Sequence, residues 1–485
     1  MAFIRKVKTA SGATAVQVAH KSHGRVTRIQ HIGSAHDESE LQVLMALARQ
    51  ELCRFQLSLF AQEDSPVSSL EMTLRKSFSG LLLELLKAEY QALGFSDLGD
   101  EDFALLCIAR IVEPTSKLDS LRVLSDLGVD GISKDRLYRA LRRTTANDYR
   151  ATISERCVAR AVREGLTLVL YDVTTLYFEV GQDDEYRKPG LSKERRLEPQ
   201  IIVGLLVDQR GFPLQVHSFE GNKAETSTLT PVLQAFRQRH DLGPITVVAD
   251  AAMLSARNLE LLTQAGYRYI VGSRLSKIPY DIAEYQKTAP LADNQIITTQ
   301  CGPFRVVYQY RQKRAALDLR NIDKQIDKAR KIVDGSVPAK RAKFLTLKAT
   351  HKEINLPLIE KARALAGVKG YVTNLDAPDE QVIAFYHDLF HVEASFRMAK
   401  SDLRARPIFH QKRESIEAHL TIVFAAIAIS RSIERRTGVS IKQFVKTLRP
   451  VRSGIVCVQA KEYVIQPDIS NEAHRLIDRL ATPGH

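Results

Sequence analysis

Two short apolar runs, each carrying an aspartate, limit what this chain can fold into more than any other feature. They are Leu166-Thr-Leu-Val-Leu-Tyr-Asp-Val-Thr174 and Ile245-Thr-Val-Val-Ala-Asp250. Their length and β-branched content read as buried strands. A carboxylate on such a strand is costly to desolvate unless it is paired or binds a metal. Asp172 and Asp250 are therefore candidate metal ligands. A third acid, Glu393, lies in the helical stretch Tyr386-His-Asp-Leu-Phe-His-Val-Glu-Ala-Ser-Phe-Arg-Met-Ala-Lys400. Two acidic strands and a helical glutamate point to a divalent-metal site.

The net charge of +14 and pI near 9.4 favour an anionic partner, either nucleic acid or an acidic membrane surface. The longest apolar stretch, Leu420 to Ile429, reads as too short to span a bilayer. No signal-peptide core follows Met1-Ala-Phe-Ile-Arg. Nucleic acid is thus the expected partner, with no membrane. The cysteines Cys53, Cys107, Cys157, Cys301 and Cys457 show no C-x-x-C spacing. They read as reduced thiols of a cytoplasmic protein, with neither a disulfide frame nor a zinc site. The 44% hydrophobic fraction excludes a mostly disordered chain, and its length suggests roughly two to four domains.

Residues 1–37 alternate β-type runs with the turn pairs Ser11-Gly12 and His23-Gly24, and read as a small β-meander. Residues 38–165 read as helical and as a DNA-end-binding region. Within them, Ser116–Leu127 and Ser133–Thr144 flank Gly128 like a helix-turn-helix, and Ser133 is placed to cap the second helix. That helix carries Arg136, Arg139, Arg142 and Arg143, of which Arg136 and Arg139 are candidate DNA contacts. An ordinary helical domain with a solvated basic face fits equally well.

Residues 166–275 read as strand, hairpin, helix, strand, helix, strand. The hairpin turns at Asp208-Gln-Arg-Gly211, and no G-x-G-x-x-G follows a strand. The order β-β-β-α-β-α-β matches a ribonuclease H-like α/β arrangement with a mixed sheet. Residues 276–369 read as an insertion that splits this core. Between Arg305 and Lys352, 14 Lys and Arg face 4 Asp, a net +10. Lys340, Arg341 and Lys343 there are candidate phosphate contacts. Gly335 and Pro338 break the helical pattern. Residues 370–436 read as the second part of the core, and 437–485 as a tail without a legible motif.

On a helix of about 3.6 residues per turn, Tyr386, Glu393 and Lys400 form one stripe, with Arg397 about 40° off it. A carboxylate flanked by a phenol and two cations suits a metal beside a phosphate. The alternative is a surface helix with a Glu393–Arg397 pair. Asp183, Asp184 and Glu185 read as a solvated loop, and Asp388 points away from the stripe. His391, His410 and His419 lack metal-ligand spacing, and His419 reads as a satisfied core histidine.

The segments Tyr171-Asp-Val-Thr-Thr175, Gly211-Phe-Pro-Leu214, Gly221-Asn222, Val248-Ala-Asp-Ala251 and Phe385-Tyr386 through Lys400-Ser-Asp-Leu403 to Arg406-Pro407 carry a resemblance over most of the chain. It resembles bacterial insertion-sequence transposases of the DDE class, in the branch whose core is split by an insertion domain. The third-acid helix of that branch carries Tyr, two residues, Arg, three residues, Glu, six residues, Lys. Tyr386, Glu393 and Lys400 match, but Leu389 stands at the Arg position, and Arg397 is the substitute the sequence offers. The resemblance implies that Asp172, Asp250 and Glu393 hold two Mg²⁺ ions, with Mn²⁺ able to substitute. It further implies cleavage at transposon ends followed by attack of the freed 3′-hydroxyl on target DNA. The implied partners are double-stranded DNA, both terminal inverted repeats and target, and a second protomer in the DNA complex. The implied location is the bacterial cytoplasm, associated with the nucleoid. Two other readings remain: a structure-specific ribonuclease H-like nuclease, and an inactive transposase-derived DNA-binding protein. The insertion and helical N-terminal region speak against the first, and three intact acids against the second.

Overall fold

The computed structural model describes residues 2–9, 13–22, 25–35, 37–59, 72–179, 183–190, 198–240, 242–243, 245–253, 255–273, 279–301, 304–338, 342–347, 352–458 and 461–482. The chain forms two compact units, residues 1–72 with 458–460, and 73–457 with 461–485. In the first, strands Ala2–Lys8, Thr14–Ser22 and Arg25–Ala35 make an antiparallel three-stranded sheet. Helix Glu38–Leu59 covers one face of it, placing Ala48, Leu41, Leu44 and Met45 against Val16 and Val18. So small a sheet has an apolar face that needs a cover. The helix therefore belongs with the meander rather than with the helical segment that follows.

The second unit is mixed α/β, built on one eight-stranded sheet. Its strands are β1 (Leu168–Tyr177), β2 (Gln200–Asp208), β3 (Pro213–Glu220), β4 (Thr246–Ala249), β5 (Arg268–Ser273), β6 (Ile296–Cys301), β7 (Phe304–Tyr310) and β8 (Val368–Thr373). The spatial order is β6-β7-β8-β5-β4-β1-β2-β3. β1, β4 and β5 run parallel, and all other neighbours are antiparallel. β2 is buried at every position, whereas β1 is buried at each position up to Tyr171 and only at Val173 and Leu176 from Asp172 on.

The helices that matter for the site are α1 (Leu229–Arg239), α2 (Ala256–Gln264), α3 (Gln312–Val333), α4 (Asp379–His387), α5 (Phe390–Ser401) and α6 (Arg413–Thr437). α6 is long and apolar enough to cross a membrane, although no apolar run within it is that long. It is almost wholly buried inside the protein, packed on β3 and on helices Glu101–Val112 and Lys134–Ala146. Hydroxylated residues such as Ser430, Ser432 and Thr437 are buried along it.

The segment read as an insertion is only partly separate, because β6 and β7 extend the main sheet. The remainder has a small core of its own. Ile322, Ile326 and Ala329 on α3 pack with Phe344 and Ile359, at the spacing of one helical face. In the helical N-terminal region the second candidate helix spans Lys134–Ala146, and Ser133 caps it by accepting from the Arg136 N–H at 3.3 Å. The C-terminal stretch is ordered as helix Ile441–Leu448, strands Ser453–Val458 and Lys461–Ile465, and helix Asn471–Ala481.

Glu164 ties helix Tyr149–Arg163 to α6. It accepts from Arg435 Nη2 at 2.6 Å and from Arg160 Nε at 3.0 Å. Arg435 foremost, then Arg160, holds its carboxyl down to about 2 against burial. A depressed carboxyl contributes stability above its unfolded value, here 4.5, and loses it as pH falls toward the folded value. Thermal unfolding should therefore show the wild type losing more stability than Glu164→Gln between pH 4.5 and 2. Parallel pH curves would contradict this.

Candidate active site

β1 and β4 pair in parallel with Leu168 opposite Thr246, Val169 opposite Val247, Leu170 opposite Val248 and Tyr171 opposite Ala249. The next positions in that register are Asp172 and Asp250. Neighbouring strands lie about 4.8 Å apart, and residues in register share a face. The two carboxylates therefore leave the sheet side by side, both half-buried. Adjacent like charges in a partly desolvated place need compensation.

Part of it comes from hydrogen bonds to Asp250. The Ala251 N–H donates to Asp250 Oδ1 at 2.7 Å, and the Tyr386 hydroxyl donates to the same atom at 3.0 Å. Neither of these bonds goes to Oδ2. Tyr386 is buried, and its ring centroid lies 4.7 Å from that of Tyr371 on β8. Burial, then the charge of Asp250, pushes its hydroxyl well above the usual tyrosine range, so it remains a donor. Gly272 on β5, opposite Tyr371 in the sheet, makes room for this contact. A Cβ there would stand 2.5 Å from the Tyr386 hydroxyl and 3.0 Å from the Ala251 nitrogen.

Glu393 lies in the first turn of α5, not in the middle of a helix that includes Tyr386. Between α4 and α5 the backbone tightens to bonds of the i→i−3 type, Leu389 N–H to Tyr386 O at 3.2 Å and His391 N–H to Asp388 O at 2.9 Å. The single stripe Tyr386–Glu393–Lys400 is thus corrected. Glu393 and Lys400 share α5, while Tyr386 sits on α4. The turn also accounts for Leu389. Leu389, Val392, Phe396 and Ala399 are all buried at helical spacing and form the core face. An arginine at 389 would point its charge into that face.

α5 is anchored to the β2–β3 hairpin. Ser395 Oγ donates to Gly211 O at 2.9 Å and accepts from Arg431 Nε at 3.0 Å. Gly211 has φ +84°, a conformation that favours glycine. Arg397 is exposed and forms no ion pair among the described residues, so the Glu393–Arg397 bridge is not made. Lys400 is half-buried and lines a cavity of about 30 Å³ beside Thr174 of the Asp172 strand.

Among the described residues no three His, Cys, Asp or Glu side chains converge tightly enough to hold one metal ion. Glu393 is exposed on α5 and is not gathered with Asp172 and Asp250 into such a group. The charges of Asp250 and Glu393 nevertheless both act on Lys369 of β8. Lys369, Asp250 and Tyr386 line a cleft of about 700 Å³, whose far wall includes Arg314, Lys343 and Lys361 of the insertion. Lys343 of this wall was a candidate from the sequence, whereas Lys369, Gly272, Arg314 and Lys361 had no signal there, because only the folded chain brings them to the cleft.

Other sequence candidates fall elsewhere. Arg136 pairs with Asp102 at 2.7 Å, which engages it within the helical region, while Arg139 stays exposed. Lys340 and Arg341 lie outside the described residues. Lys343 is exposed, with Nζ 5.3 Å from the Phe344 ring. Asp184 accepts from the Tyr186 and Arg187 N–H groups and pairs with the Arg187 side chain, an ordinary turn. His419 is a satisfied core histidine that accepts from Lys117 Nζ and donates to Ala405 O, both at 3.0 Å.

Residues 163–429, a span containing Asp172, Asp250 and Glu393, match the family described as Transposase DDE domain. The chain belongs to the DDE transposase family. Two solved structures similar to this transposase are the piggyBac transposase synaptic complex with hairpin DNA and the Mos1 mariner paired end complex with Mn. The first is 13% identical, with 79% of this chain and 82% of that chain covered and a TM-score of 0.41. The second is also 13% identical, covers 48% and 71% respectively, and has a TM-score of 0.17. No curated protein matches.

In this transposase Gly272 and the Tyr386 hydroxyl are coupled through one contact. Gly272→Ala should destabilise by roughly 1–3 kcal/mol, as overpacking does. In a Tyr386→Phe background the hydroxyl is gone and the added methyl is better tolerated. A double-mutant cycle read by denaturant unfolding should give a coupling of at least about 0.5 kcal/mol. Simple additivity would show that the contact does not limit residue 272.

Proposed function

We propose that this transposase is a DNA-cleaving and strand-transfer enzyme with a ribonuclease H-like core, and that Asp172, Asp250 and Glu393 are its catalytic acids. The observation that carries the reading is the register of β1 and β4, which sets two carboxylates side by side where the sheet meets a basic cleft. The strand order β3-β2-β1-β4-β5, with β1, β4 and β5 parallel, supports the core assignment.

The donor set suits divalent cations. Carboxylate oxygens are hard ligands, and both protein donors to Asp250 gather on Oδ1, which leaves Oδ2 for a cation. With the Glu393 side chain turned toward Asp172 and Asp250, the three acids would hold two Mg²⁺ ions, or Mn²⁺ in their place, which would stabilise the attacking and leaving oxygens of an in-line displacement. The chain's own residues prepare the rest. Tyr386 and the Ala251 amide fix the orientation of Asp250. The Gly211–Ser395–Arg431 contacts hold α5 and with it Glu393. Arg397 and Lys400 offer cations for DNA phosphates, and Arg397 is free of the bridge that would occupy its guanidinium. Water first cleaves a phosphodiester at a transposon end, and the freed 3′-hydroxyl then displaces the leaving oxygen of a target phosphodiester. No covalent protein–DNA bond is needed. Pairing two ends calls for two protomers on DNA.

Asp172→Ala, Asp250→Ala and Glu393→Gln should each abolish Mg²⁺-dependent cleavage of end-containing DNA while end binding persists, since binding uses other, basic surfaces. Gel assays of cleavage and mobility shift decide this. Full cleavage by any one variant would remove that residue from the site.

A further inference from the structure

Lys369 is placed unlike any other cation of the cleft. Its Nζ lies 4.3 Å from the Tyr386 ring centroid and 5.7 Å from that of Tyr371. The first of those rings carries the hydroxyl bonded to Asp250. Lys369 is half-buried and lines the same cleft as Asp250. Among the described residues its ammonium has no hydrogen bond and no ion pair. Burial, then Arg314, lowers its pKa from the ordinary lysine value, while Asp250 and Glu393 act in the opposite sense.

An ammonium has three donors and no acceptor, and one held half-buried against ring faces keeps those donors for oxygen acceptors that reach it from the cleft. The two tyrosine rings hold the cation in place by their π faces, so its position is fixed before any ligand binds. A ligand offering several anionic oxygens beside two carboxylates is a phosphate. The same charge, sitting in the field of Asp250 and Glu393, opposes entry of another cation.

We infer that Lys369 binds a DNA phosphate in this site and that, in the protein free of DNA, its ammonium competes with divalent cations for Asp250 and Glu393. The inference rests on the proposed metal site. Docking of a phosphate then neutralises the lysine charge where it stands and leaves the carboxylates to the metal, which makes metal occupancy depend on substrate.

Mn²⁺ titration of the DNA-free full chain, followed by electron paramagnetic resonance, tests this together with the salt dependence of binding to a random-sequence duplex. Lys369→Met should bind Mn²⁺ about threefold to tenfold more tightly than wild type, since a nearby like charge is gone. Its log K against log salt slope should fall by about 0.9, one phosphate contact. Lys369→Arg should keep both properties near wild type. Lys369→Gln should follow the methionine variant and retains a polar head should Lys369→Met fold poorly. Unchanged or weaker Mn²⁺ affinity in both neutral variants overturns the inference, as does an unchanged salt slope. Asp250→Ala separates the two levels. If it binds Mn²⁺ like wild type, the metal site itself is misassigned; if it loses Mn²⁺ while Lys369→Met gains nothing, only the role of Lys369 fails.

Discussion

Two carboxylates held side by side on adjacent parallel strands must be balanced by their surroundings, and much of the nearby architecture answers that demand. β1 and β4 bring Asp172 and Asp250 into register at the point where the unbroken burial of β1 ends. Around Asp250 stand a backbone amide and a buried phenol that cannot easily ionise. The phenol reaches the carboxylate because residue 272 has no side chain. Behind the phenol lies a lysine pinned on two aromatic rings. Each element would be unremarkable alone. Together they form a charged pocket at the carboxyl ends of parallel strands, where α/β sheets generally place their ligands.

The third acid depends on a different set of contacts. α5 carries Glu393 on its exposed side and Leu389, Val392, Phe396 and Ala399 on its core side. Ser395 joins this helix to the hairpin turn at Gly211 and to Arg431 on α6. Glu393 is thus fixed by helix docking, whereas Asp172 and Asp250 are fixed by strand pairing. The insertion contributes the far wall of the cleft with Arg314, Lys343 and Lys361. Its own apolar core of Ile322, Ile326, Phe344 and Ile359 keeps that wall ordered.

The acidic strands were legible because an ionisable residue on an apolar run is a conflict visible from sequence alone. The hairpin was legible from Gly211, and one helix start from Ser133, which caps as its side chain suggests. The break between α4 and α5 was not. Asp388 and Leu389 keep right-handed helical dihedrals, and neither Pro nor Gly marks the tightening. β6 escaped notice because its apolar character is weak, and its pairing with β7 is what makes it a strand. The C-terminal helices were readable in principle, since Ser440 and Ser470 both cap them. Lys369 could not have been found, because a lysine in a strand carries no sign of which rings and carboxylates will surround it.

The central claim, that Asp172 and Asp250 together bind the catalytic cation, is tested most directly by anomalous diffraction from crystals of the full chain bound to DNA and soaked in Mn²⁺. The account predicts an anomalous peak between the two carboxylates, each oxygen about 2.1 Å away, as expected for a hard cation with oxygen ligands, with Glu393 within the ligand set. A peak held by other acids, such as Asp183 or Asp388, with Asp172 and Asp250 bare, would contradict it.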